Sequence, residues 1–459
     1  MAERLKKSIL YTFGVADLGF SLMVSMETYF FAAFLTDYAK YPLGVAGQIL
    51  TATSFIDIAC AILAGIILQK VTLRFGGKYR SWLLVGPPVV AVLFILQFTK
   101  IGSDTMGAFI VMFAFVASHL LWNTVYTANV SMVGRLSQLP DERTILSASR
   151  GQYTAAAGLI FSYIAMPIIT FIGARTNPVA GYTYTVAIFG VVMILAHWYN
   201  YRITAGKDPY DEAVVVGNKE AKQSIGEILA QVFKNPPLLF LILADIFRNT
   251  YSFIIMGFAF YYFKYVLNNL AFLPIFLLSI NIAAFLGSLI GGKVGVSLGK
   301  RNSYILSMLI PAGILVLAKF IGSSTIVFTV LICLVQFTAR IAYCVITALF
   351  SDTVVYGEWK TGKNTRGFIM SLLTFPIKAG VFIRSFIMSV GLVAIGYVAN
   401  AAPTPGVVSG ISTIMTVLPA IACFLAAGIF SLGYKIDDKR VVEMQEEIAA
   451  RKAKEVAGV

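Results

Sequence analysis

Asp57 is the residue around which chemistry can be placed. It stands in Ser54–Trp82, SFIDIACAILAGIILQKVTLRFGGKYRSW, where a hydrophobic run with this one acid leads into a short basic turn, Arg74-Phe75-Gly76-Gly77-Lys78-Tyr79-Arg80. An ionisable side chain at the centre of a membrane helix costs roughly 2.5–3.5 kcal/mol on insertion scales, so it is normally kept for a purpose. The turn is too short for a domain, and its glycines and cations suit a tight link between two spans. Asp57 is therefore a candidate ion or proton site, and the turn is a candidate gate.

Other apolar runs carry charge too. The cations are Arg150, Arg248, Arg340, Lys378 and Arg384; the acids are Asp17, Glu27 and Asp245, with Asp352 near the end of its run. Asp245 and Arg248 are three apart on one helix face, which predicts a local ion pair. Arg340 and Arg384 have no sequence-local partner. One reading is structural, with either pairing to Glu27 or capping carbonyls. The other is that a guanidinium holds a carboxylate, sulfonate or phosphate of a solute, which Arg does bidentately. His119 and His197 lie in apolar helices and read as packed side chains. Cys60, Cys333, Cys344 and Cys423 lie in apolar runs without CxxC spacing and read as small core residues.

The elements that must position these residues are membrane helices. The chain has 459 residues, of which 58% are hydrophobic and 13% charged, with a mean hydropathy of +0.81. Soluble globules carry about a quarter charged residues, so that class is excluded. Apolar stretches fall near 10–35, 44–70, 82–99, 107–132, 148–173 and 180–202, then near 237–265, 271–292, 302–320, 324–351, 366–398 and 408–433. Each is long enough for a hydrocarbon core of about 30 Å. The run after MAERLKKSILYTF lacks a small-residue cleavage site and reads as a first span rather than a signal peptide.

This divides the chain into a six-helix half over 1–202, a linker over 203–236, a second six-helix half over 237–433 and a polar tail over 434–459 with helical charge spacing. The net charge of +14 does not indicate nucleic acid, because the basic residues fall mainly in alternate loops. Arg4, Lys6, Lys7, Lys70, Arg74, Lys78, Arg80, Arg135, Arg143, Arg202, Lys207, Lys293, Lys300, Arg301, Lys360, Lys363 and Arg366 share one side. Only Lys40, Lys100, Arg175, Lys264 and Lys319 fall on the other. That asymmetry places both termini in the cytoplasm. Two six-helix halves around a central path is the major facilitator arrangement, with a site near mid-membrane where the halves meet. No Gly-rich filter repeat, HExxH or acid–His cluster favours a channel or a membrane enzyme, so a transporter is expected.

Several stretches together resemble the glycoside-pentoside-hexuronide:cation symporters, the group that contains melibiose permease. Phe13–Gly19 is similar to that family's Tyr-Gly-x-Gly-Asp-Phe-Gly opening, with Asp17 at the acid. Leu35-Thr36-Asp37-Tyr38 resembles its Tyr-Thr-Asp. The basic turn with Trp82 resembles Arg-x-Gly-Lys-x-x-Pro-Trp, with Ser81 in place of proline. Leu139–Arg143 with Leu146–Arg150, Tyr261–Val266, and Ser351–Lys360 with Lys378 resemble the loop between helices four and five, the end of helix seven and the helix ten–eleven segment.

The resemblance implies an all-α, twelve-helix secondary transporter rather than an enzyme, working by alternating access as a monomer in the cytoplasmic membrane. Its solute is expected to be sugar-derived, and no cofactor is implied. The family's second helix-two acid is Ala61 here, its helix-one sugar-binding acid falls on Ser21, and its helix-four acid falls on Tyr126, or on Thr127 if the register slips. The helix-four hydroxyl of the ion site falls on Asn123, with Thr124 adjacent. Losing one of two carboxylates weakens an all-oxygen sodium site more than a proton site, because a proton needs only one buried carboxylate. Proton coupling through Asp57, with Asn123, Thr124 and Lys378 around it, is therefore expected over sodium, and Lys378 is placed to reach Asp57 across the halves. Asp17, Ser21, Tyr126, Arg150, Arg340 and Arg384 are the expected solute-binding residues. The absence of acids at Ser21 and Tyr126 points to an anionic, hexuronide-like solute, with a neutral glycoside or an amphipathic lipid-like solute as the alternative. Arg74, Lys78, Arg80, Glu142, Arg143 and Glu358 are expected to form a cytoplasmic gate. A non-transporting membrane sensor is the alternative from another class.

Overall fold

The computed structural model describes residues 4–71, 73, 76–137, 140–208, 234–362, 369 and 372–457. Among these residues, twelve helices are long and apolar enough to cross a membrane: α1 (Lys7–Tyr38), α2 (Leu43–Gly65), α3 (Arg80–Gln97), α4 (Asp104–Val133), α5 (Ser149–Arg175), α6 (Pro178–Ile203), α7 (Pro236–Val266), α8 (Leu270–Ser297), α9 (Lys300–Ile321), α10 (Thr325–Thr361), α11 (Leu372–Ala394) and α12 (Pro405–Gly433). Only helices and closed barrels satisfy every backbone polar group in lipid, and long apolar runs without strand alternation select the helix. Several start at side-chain caps: Ser103, Asn177, Asn235 and Thr404 each accept from the backbone N–H three residues on. A thirteenth helix, α13 (Asp438–Ala457), follows the last span.

The packing repeats between the halves. In the first, α1 lies against α5 and α6, α2 against α4, and α3 against α4 and α6. In the second, α7 lies against α11 and α12, α8 against α10, and α9 against α10 and α12. The halves meet along the symmetry-related pairs α2–α11 and α5–α8, and where α1 crosses α7. With twelve crossings, the start of α1 and the end of α12 share one face, called the terminal face below; the other is the far face. Most of the expected linker, residues 209–233, lies outside the described residues.

Two departures from the hydropathy pattern matter. First, α10 continues to Thr361, beyond its apolar run, because a helix does not stop where the bilayer does. Second, the polar tail is docked rather than fully solvated. Val441 and Met444 of α13 are buried, the Trp359 indole donates to Glu447 at 2.6 Å, and Arg451 donates to the Trp359 carbonyl at 3.1 Å. Lys300 lies between Asp352, at 2.7 Å, and Asp438, at 3.1 Å, so α9, α10 and α13 are tied into one corner.

Candidate solute and coupling site

The seam between α2 and α11 carries a column of polar rungs. Thr51, Ser54 and Asp57 follow one face of α2 at three-residue spacing, and the antiparallel α11 presents Ser389, Ser385 and Lys378. The hydroxyls of Thr51 and Ser389 lie 3.1 Å apart and those of Ser54 and Ser385 2.8 Å apart. At the third rung the Lys378 ammonium is ion-paired with the Asp57 carboxylate. From α4, the Asn123 amide donates to Asp57 at 3.1 Å. Thr124, by contrast, is fully buried and donates to the Leu120 carbonyl of its own helix.

A histidine extends this cluster. His119, also on α4, has Nε2 2.9 Å from Glu27 Oε2 and Nδ1 3.5 Å from Asp57 Oδ1. His119 and Asp57 are both buried, 7% and 8% exposed. His119 therefore stands between two carboxylates, where the sequence suggested a packed side chain. Arg384 is buried beside them. It donates to the Thr28 carbonyl at 3.1 Å, next to Glu27, and its Nε has no hydrogen-bond partner. Gly257 of α7 leaves the room it needs, since a Cβ there would stand 3.0 Å from Arg384 Cδ. The Thr28 bond beside Glu27 is the carbonyl-capping contact of the structural reading of Arg384, and the unpartnered Nε is what the solute-binding reading would use.

Arg340 is different. It is exposed, lies 4.6 Å from the Tyr343 ring centroid, and is within electrostatic reach of Tyr29 on α1 and Tyr251 on α7. It thus faces the space between the halves. Asp245 and Arg248 form their local ion pair, with Asn249 donating to Asp245 at 3.0 Å.

On the first half, Arg150 grips Asp17 bidentately, at 2.8 and 2.6 Å. Asn129 also donates to Asp17, at 3.3 Å, and Asn200 links Asn129 to the Phe13 carbonyl. These expected solute ligands are largely occupied by one another. Tyr126 stays 39% exposed, stacked on Phe20 at 4.7 Å with the Arg150 guanidinium 5.4 Å from its ring. Ser21 is half-buried on the same helix as Asp17 and Phe20.

Residues 12–438 match the family model described as MFS/sugar transport protein. The chain belongs to this family. It is 28% identical over 469 residues to a putative sulfoquinovose importer of Escherichia coli, covering 99% of this chain and 95% of the relative. It is 26% identical to the glucuronide carrier protein homolog of the same organism, covering 98% and 97%, and 25% identical to an isoprimeverose transporter of Lactiplantibacillus pentosus, covering 96% and 92%. Among solved structures, a peptide transporter superposes with a TM-score of 0.66 at 11% identity, over 95% of each chain. This member of the MFS/sugar transport family is thus a multi-pass membrane transporter rather than an enzyme.

The far face of this transporter is latched. α1 and α7 both end in a π-helical turn, Phe34–Tyr38 and Tyr262–Val266, an insertion that often marks functional sites. Asp37 in the first turn meets Lys264 in the second at 2.6 Å. The hydroxyls of Tyr265 and Tyr397 also donate to Asp37, that of Tyr397 at 2.7 Å. Burial, with Tyr261 and Asp37 nearby, pushes the Tyr397 hydroxyl well above the ordinary tyrosine pKa, so it stays a donor. Asn400 donates to the Asp37 carbonyl at 2.6 Å and accepts from Lys264 at 2.6 Å. Its φ of 59° is left-handed, a region Asn tolerates better than most residues. Asp37 was legible only as part of a motif, without this role.

At the terminal face, Arg80 and Glu142 among the expected gate residues bond within the first half. Arg80 is buried, donating to the carbonyls of Gly76 and Tyr201 at 2.6 Å each, and Asp208 accepts from the Tyr79 and Arg80 amides at 2.6 and 3.0 Å. Glu142 accepts from the Leu5 amide at 3.0 Å. Lys78 lies 5.6 Å from the Tyr79 ring centroid. Glu358 lies on α10 near its terminal-face end. Arg74 and the Arg143 side chain fall outside the described residues.

Proposed function

We propose that this transporter moves a sugar-derived anionic solute across the cytoplasmic membrane by alternating access, coupled to protons, with the terminal face in the cytoplasm. The observation that carries this is the Asp57–Lys378 pair, because it joins one half to the other inside the membrane. A proton on Asp57 removes the carboxylate charge, frees the Lys378 ammonium and weakens the third rung of the seam. Proton occupancy and contact between the halves then bias each other, as alternating access requires. The freed ammonium joins Arg340 and Arg384 in a positive interior that suits a carboxylate or sulfonate. Relatives named for sulfoquinovose and glucuronides, both anionic sugars, support that reading. The basic loops support a cytoplasmic terminal face, and the far-face latch then corresponds to an inward-facing state. The protein is proposed to work as a monomer.

The isoprimeverose relative favours a second reading, a carrier of a neutral glycoside. Uptake of a glucuronide and of the matching neutral glucoside into proteoliposomes separates the two. Glucuronide uptake driven by a pH gradient, and not by a sodium gradient, is the expected result. Neutral glucoside uptake driven by sodium would overturn both the coupling ion and the anionic solute.

A further inference from the structure

We infer that Glu27, with His119 as its relay to Asp57, holds the coupling proton, and that a proton on Glu27 releases Arg384 for the anionic group of the solute. This rests on the transport reading above and adds to it a second carboxylate, supplied by α1, where α2 has only Ala61. His119 bridges the two acids, with its Nε2 on Glu27 at 2.9 Å and its Nδ1 3.5 Å from Asp57. That Nδ1 is buried and lacks a hydrogen bond, so a shift of a few tenths of an ångström would complete the bridge. The charged and titratable groups around Glu27 are His119 from α4, Asp57 from α2, and Lys378 and Arg384 from α11.

The transfer balances without any co-reactant. A proton on Asp57 passes to Nδ1 of the neutral imidazole, breaking the Asp57 O–H bond and forming Nδ1–H. The Nε2 proton passes to Glu27, breaking Nε2–H and forming a carboxyl O–H. Asp57 returns to carboxylate and can recapture Lys378, Glu27 becomes neutral, and the imidazole stays neutral in its other tautomer. The reverse sequence resets it.

Charge balance supplies the coupling. With both acids ionised and the imidazole neutral, Asp57 and Glu27 match Lys378 and Arg384. Arg384 has no ion-pair partner at salt-bridge distance among the described residues; it donates to the Thr28 carbonyl at 3.1 Å and to the Ser385 hydroxyl at 3.5 Å, with the charge of Glu27 nearby. Protonating Glu27 removes that compensation and leaves a guanidinium with a buried, unpartnered Nε. An anionic solute restores neutrality. Proton and anion therefore favour each other's binding, and the linkage is reciprocal.

The test uses the full chain in lipid and the proton itself as probe. Infrared difference spectra across a pH step should show the carbonyl stretch of a protonated carboxylic acid. Glu27→Gln is expected to abolish that band. His119→Gln, which keeps the acid but replaces its partner, is expected to shift it. If neither variant alters the band, or the wild-type protein shows none, the proposal fails. A second arm measures glucuronide affinity at two pH values. The wild-type protein should change by at least about fivefold, the lower end of ordinary coupling, and Glu27→Gln should be flat. A pH-dependent affinity kept intact in Glu27→Gln would also overturn the proposal. If the infrared bands behave as expected but the wild-type protein moves neither glucuronide nor glucoside, the solute proposed above is wrong and the Glu27 proton site stands.

Discussion

At the residue scale, arginines within the spans play opposite parts in the two halves: Arg150 is paired, whereas Arg340 is exposed beside an aromatic ring. Arg150 and Asp17 are committed to each other: the pair is bidentate, fork to carboxylate, with side chains 15% and 5% exposed. Breaking one partner of a buried pair leaves an uncompensated charge and costs about 3–5 kcal/mol. Asp17→Asn should therefore lower the thermal stability of the purified protein strongly, and adding Arg150→Gln should recover part of the loss. A double mutant as unstable as the sum of the singles would show that the two do not act as a pair. Arg340 is exposed, lies against the Tyr343 ring and has no ion pair among the described residues, so its charge is available. A hydrogen bond to a charged group contributes about 1.5–3 kcal/mol, so Arg340→Gln should weaken glucuronide binding roughly tenfold to a hundredfold and hardly affect the neutral amide analogue. Equal losses for both ligands would make Arg340 structural. Sequence exposed the intramembrane charges because each is costly in a helix of its own. It did not show Glu27 and His119 as a unit, since neither spacing nor type reveals which helices face each other.

At the element scale, the α2–α11 seam needs close approach. A Cβ on Gly47 would stand 2.4 Å from Ser389 Oγ and 3.1 Å from Ser389 Cβ, so this glycine lets the polar rungs meet. A disulfide engineered with Thr51→Cys and Ser389→Cys should form readily under mild oxidant and stop transport by fixing the halves. Adding Gly47→Leu should drive the helices apart and reduce that cross-link to background. Undiminished cross-linking would mean that the seam tolerates the wedge and that the glycine has no spacing role. Hydropathy located the elements well because it reports the apolar length that lipid demands. It underestimated α10 and missed the docking of α13, because a polar helix end is held by Trp359, Lys300 and Met444 rather than by lipid.

At the scale of the whole molecule, the twelve spans were legible, but the contact that closes the far face was not. There two π-helical turns meet through a carboxylate on α1 and an ammonium on α7 that hydropathy cannot pair. Asp37 receives Lys264, Tyr265 and Tyr397 at once, so its charge concentrates the far-face closure into one group. Losing one charge-assisted bond removes more than about 1.4 kcal/mol, enough to shift a two-state equilibrium about tenfold. Asp37→Asn keeps the shape of the side chain and removes the charge. A cysteine introduced on the interior face of α1, as Ser21→Cys, should then react with a membrane-impermeant maleimide from the far face at least about tenfold faster than in the Asp37 background. Labelling that stays slow in Asp37→Asn would place the far-face barrier in the apolar contact of α1 with α7, and the latch would be a consequence of closure instead of its cause.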